Sequence, residues 1–180
     1  TLHPLAQKAF DSSAALYTEV PLDTESQQAV IPLVMRGDGK KLSAAIGKDL
    51  SEALDAHLKT INPQLDATPM QALKTWYVAI MLSFLPDQLA GGGKPLDSAL
   101  WDKATDAGKK TGALETPESQ MKGFTELNEA DQSIFLSETL KQFKKYREQG
   151  IDPNKALVDA YLSGDPAKVA AEMDKQILEM

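Results

Sequence analysis

Glu19 and Glu115 are the side chains of this sequence best placed to do chemistry. Each stands near the C-terminal end of a short run that reads as a strand, and open α/β sheets carry their ligand-binding groups beyond the carboxyl ends of their strands. A carboxylate there is costly to bury unless it is paired, hydrogen-bonded or bound to a cation; otherwise it meets solvent or a helix N-terminus. Other groups offer less. The two histidines, His3 and His57, fall in separate predicted elements with no HxxE, HExxH or HxxxH spacing, so no autonomous zinc signature is present. His57 reads as an edge residue of an apolar helical stripe and His3 as a terminal residue. With no cysteine in the chain, disulfides, thiolate nucleophiles and Cys-ligated zinc are excluded. No serine stands in a GxSxG elbow. The GGGK run at 91–94 follows no strand and precedes no Ser or Thr, so it reads as a linker rather than a phosphate loop.

Elements to position these carboxylates can be read from periodicity. Residues 4–12 have helical spacing, and 14–20 (AALYTEV) read as a strand ended by Pro21. A helix follows over 24–35, limited or kinked by Pro32, then the turn RGDGKK, whose RGD tripeptide reads as a solvated turn. An amphipathic helix over 48–61 ends before Asn62-Pro63, and Thr68-Pro69 opens a helix to Leu85. That helix contains WYVAIMLSFL, at ten residues too short to span a bilayer, and Trp76, Tyr77, Met81 and Phe84 read as core. Residues 96–107 form a helix ended by Gly108, and 110–115 (KTGALE) form a second strand. Further helices start at Thr116-Pro117, at Asn128 with Gly150 as its stop, at Asp152-Pro153 and at Asp165-Pro166.

The fold class expected is therefore α/β and helix-dominated, with a small parallel sheet and a large helical insertion. Each strand precedes a helix, the βα order of parallel sheets, which brings Glu19 and Glu115 to one edge. Two strands alone are marginal, so an exposed edge is expected to pair, for example with a second copy as a homodimer. A formal charge of −7 opposes nucleic acid as a partner.

LHPLAQKAF followed by SSAALYTEVPLD resembles the segment of the TraB/GumN family in which a helix leads into a strand ending in Glu. PLDSALWDKATDAGKKTGALETPESQ is similar to that family's Asp-led helix, Gly-Lys turn and LET-xxx-Q stretch, here Leu114, Glu115, Thr116 and Gln120. AYLSGDPAKV matches its aromatic, Gly-Asp, helix pattern. The resemblance implies a sheet-based fold shared with the TIKI metalloproteases and haem-associated ChaN-like proteins, and two GxxH motifs as proposed metal ligands. Neither motif is in this chain. The implied organisation is one TraB/GumN-like domain over 1–180, incomplete at both ends and inactive alone, with a helical insertion over 24–90. Its parent would be a metal-dependent peptidase or hydrolase using a divalent metal ion. Glu19 would be the acidic catalytic residue and metal ligand, Glu115 the second catalytic residue, and a peptide or small ligand the partner. The setting implied is bacterial and extracytoplasmic. A non-catalytic module binding a peptide or haem-like ligand, and a helical interaction domain, stay open as alternatives.

Overall fold

A computed structural model describes residues 4–152 and 154–178. His3 lies outside the described residues. These divide into two compact units, Thr1–Leu136 and Ser137–Met180.

Unit 1 begins with α1 (Pro4–Ser12), β1 (Ala15–Thr18) and α2 (Thr24–Val34). The N-cap of α2 is Asp23, whose carboxylate accepts from the Ser26 N–H at 2.7 Å and is lowered from the usual range by that bond. Pro32 is carried inside the last turn of α2, where only the few remaining residues would feel its missing N–H. A longer helix than expected follows, α3 (Leu42–Ile61), broken at Gly47. At φ 78° that residue adopts a conformation that costs glycine little, which is why the pattern from Lys48 onward looks like a separate helix.

The largest departure from the sequence reading is at Thr68-Pro69. These residues open only a 3-10 turn (Thr68–Met70); the helix proper, α4 (Thr75–Leu89), starts later. Between them Leu73 forms an antiparallel bridge with Met35, flanked by Arg36 N–H to Ala72 O and Lys74 N–H to Val34 O, both 2.8 Å. That non-local pairing supplies partners for a stretch whose proline-threonine start looked like a helix cap. In α4, Trp76, Val78, Ala79 and Leu82 are buried as expected of the core. Phe84, expected in the same core, is 57% exposed because it lies on the opposite side of the helix from Val78, Ala79 and Leu82.

α5 (Leu96–Asp106) packs on both β1 and β2 (Lys110–Ala113), burying Trp101 and Ala104. Then come α6 (Pro117–Thr125) and α7 (Glu129–Gln149), the latter crossing from unit 1 into unit 2. Trp76 stacks on Phe124, ring centres 5.3 Å apart, and Phe124 on Phe135, fastening α4, α6 and the start of α7 around one aromatic column.

The sheet has the expected direction. β1 and β2 pair in parallel with Ala15 opposite Lys110 and Thr18 opposite Ala113. β1 is shorter than expected by one residue at its start and two at its end, and β2 by two at its end, where each chain turns toward its next helix. Unit 2 holds the rest of α7 with α8 (Lys155–Leu162) and α9 (Pro166–Leu178). α8 begins at Lys155 rather than at the Asp152-Pro153 pair, and Pro153 lies outside the described residues. Among the described residues no helix is long and apolar enough to cross a membrane.

Candidate functional site

The parallel register brings the two glutamates to the same end of the sheet. Past the last ladder pair, the Leu114 N–H donates to Thr18 O at 3.0 Å and the Glu115 N–H to Glu19 O at 2.8 Å. The chain after β1 is turned by the Thr18 hydroxyl, which donates to Val20 O at 2.6 Å. The chain after β2 enters α6 through Thr116, whose hydroxyl oxygen accepts from the Ser119 N–H at 3.2 Å while Pro117 takes the first helical position. One turn into α6 stands Gln120. Its side-chain Nε2 donates to Glu19 Oε2 at 3.1 Å, joining residues 101 apart in sequence.

Glu19 and Glu115 thus share a backbone edge, joined by the Glu115 N–H on Glu19 O. Both are exposed. Glu19 has its carboxylate oriented by an amide donor; Glu115 joins the edge through its backbone N–H. Tyr17, within β1 and two residues before Glu19, lies opposite Gly112 in the register. The Tyr17 ring lies across that glycine: a Cβ at position 112 would come within 2.6 Å of its Cε1. The other face carries Thr18, which is buried, and faces the core.

Sequence reasoning missed the roles of Gln120, Tyr17 and Gly112. Gln120 was visible in the LET-xxx-Q pattern, but its reach to Glu19 depends on the strand pairing. A glycine within a strand run is a signal of close approach by another group.

His57 is half-buried at the edge of the Leu54 and Leu58 stripe in α3, as its sequence position suggests. Arg36 and Asp38 of the RGD turn are not simply solvated. Arg36 has its side chain only 5% exposed, pairs with Asp38 at 2.6 Å and with Glu129 at 2.9 Å. The Thr75 hydroxyl, fully buried, donates to the other Glu129 oxygen at 2.7 Å. Hydrogen bonds from Arg36 hold Asp38 down at about 2 and Glu129 below its usual range, and the two carboxylates raise the guanidinium in turn.

Glu19 and Glu115 are hard oxygen donors of the kind divalent cations take, but a catalytic metal is usually held by three protein ligands. Among the described residues no group of three His, Cys, Asp or Glu side chains could hold a metal ion. The donor set at this edge does not by itself make a metal centre.

The family model for the TraB/PrgY/gumN family matches residues 1–180, the whole chain, and the chain belongs to that family. No curated protein matches the chain, and no solved structure does.

Proposed function

We propose, from the chain's membership in that family and from the paired strand ends, that the edge bearing Glu19 and Glu115 contributes the acidic groups of a hydrolase-type site. The observation that carries this reading is the Gln120 amide on Glu19. An exposed carboxylate with one oxygen held by an N–H is oriented to accept a proton from water, the work of a general base. Glu19 takes that role and Glu115 stands as the second acidic group. Glu19 is also the position from which a cation would be approached, but because the donor set is short, no step is assigned to a metal.

The protein, supplied with manganese, cobalt or zinc and a mixture of unstructured peptides, tests the reading. Glu19→Gln is expected to lower peptide-bond hydrolysis by roughly a hundredfold or more, the scale of a lost general base. Equal rates for Glu19→Gln and wild type contradict it. The 180-residue chain alone is expected to bind these metals weakly, and stoichiometric sub-micromolar binding would contradict the incomplete donor set.

A second reading rests on unit 2. α8 and α9 leave a cleft of about 410 Å³ lined by Tyr161, Val169, Ala170 and Met173, an apolar setting suited to a non-catalytic ligand site. Saturable binding of an apolar dye, lost in Met173→Asp, would favour it; binding unchanged by that substitution would not.

A further inference from the structure

We infer that the solvent-facing side of the β1–β2 sheet is a recognition surface for a basic side chain, arginine or lysine, of an extended peptide, with Tyr17 as its platform and Glu19 as its counter-charge. The inference rests on the proposed function in that it names the substrate class for the same edge.

The surface is built rather than incidental. Tyr17 is 53% exposed, a large share for an aromatic in a strand, yet its ring lies down on the sheet because Gly112 opposite has no side chain. An aromatic laid over a strand glycine has one face against backbone and offers the other outward. Just past the end of β1, where the chain turns, stands Glu19. Its carboxylate is exposed and held through one oxygen by Gln120. Leu114, 76% exposed, adds apolar surface beside Glu19.

An aromatic face attracts a cation through its quadrupole, and a neighbouring carboxylate receives the same cation by a charge-assisted hydrogen bond. A long basic side chain supplies both in one group, its methylene stem over the ring and the leucine, its head at the carboxylate. An anion would meet Glu19 and a protein of net charge −7, and a neutral apolar group would leave the oriented carboxylate unused. Lys110 is the one cation of this face in the ladder. It stands opposite Ala15, at the far end of the strands, so it repels a second cation there and leaves the Glu19 end for the basic group.

The test is a nuclear magnetic resonance titration of the 180-residue chain with acetyl-Gly-Arg-Gly-amide and with the same peptide carrying citrulline, the neutral isostere of arginine. The arginine peptide is expected to move the resonances of Tyr17, Glu19 and Gln120 and to bind about tenfold more tightly than the citrulline peptide, one aromatic-cation and ion-pair increment. Tyr17→Ala and Glu19→Gln should each remove most of that preference. Tyr17→Phe, which keeps the ring face, should retain it, and loss of the preference in Tyr17→Phe would contradict the platform. Equal affinity for the two peptides, shifts centred away from this face, or no shift with either overturns the inference. Its failure is separable from that of the hydrolytic reading. Loss of turnover in Glu19→Gln without arginine preference removes the recognition surface alone. Arginine preference with turnover unchanged in Glu19→Gln removes the hydrolytic role alone.

Discussion

Arg36 and Glu19 sit in the same unit, each tied to a residue far along the chain, yet they are arranged for opposite purposes. At Arg36 the guanidinium is buried and two carboxylates share it, while a fully buried threonine hydroxyl donates to the Glu129 oxygen that also accepts from Arg36 Nη1. Every strong group there has found its partner. At the sheet edge Glu19 is exposed and oriented by an amide donor, Glu115 is exposed, and Tyr17, two residues before Glu19, is exposed as well. A saturated charge cluster fixes structure, because a buried charge that lost its partner would be expensive. An exposed, oriented carboxylate at a strand end is what the proposed site calls for. The RGD turn, which invites a functional reading, belongs to the first kind.

Substitutions sharpen that contrast. Arg36→Met should have the largest effect on stability, about 2 to 3 kcal/mol. It removes a buried cation from two carboxylates, and their partial exposure keeps the cost below that of a fully buried pair. Urea unfolding reads it, and a stability equal to wild type would make the cluster decorative. A smaller effect follows from pH. Both carboxylates are held below their ordinary values, so the stability they contribute is present above that range and is lost as pH falls through it. The window runs from near the ordinary glutamate value of 4.5 down to about 2 for Asp38. The melting temperature of wild type should therefore drop across this window, and that of Arg36→Met should drop less; parallel curves would contradict the assignment.

At the other region the expected stability changes are slight. Glu19→Gln should stay within about 0.5 kcal/mol of wild type, as befits an exposed group with one neutral donor. Gly112→Ala should also cost little, because the atom in its way is the movable end of the Tyr17 side chain. It should nevertheless lift that ring, seen as a changed set of nuclear Overhauser contacts between Tyr17 and position 112. An unmoved ring would remove the platform.

Much of this was legible in the residues. The strand beginnings, their parallel pairing and the start of α6 follow from alternation, the βα order and the Thr-Pro cap. Asn128 does cap α7, accepting from the Asp131 N–H at 3.0 Å, and Gly150 does end it. What stayed hidden was non-local. Thr68-Pro69 has the local chemistry of a helix start, but the bridge between Met35 and Leu73 competes for the same backbone and delays α4 to Thr75. Arg36 looks solvated until that bridge sets it against Glu129, 93 residues away. Gln120 meets Glu19 only once β1 and β2 are paired. Local propensity carries no information about such meetings.

The most direct test compares two variants of the protein, with hydrolysis expressed per folded molecule and stability measured on the same samples. Glu19→Gln is expected to lose turnover with its unfolding curve unchanged, and Arg36→Met to lose stability with turnover per folded molecule retained. The account is contradicted if Arg36→Met loses turnover as Glu19→Gln does, or if Glu19→Gln keeps it.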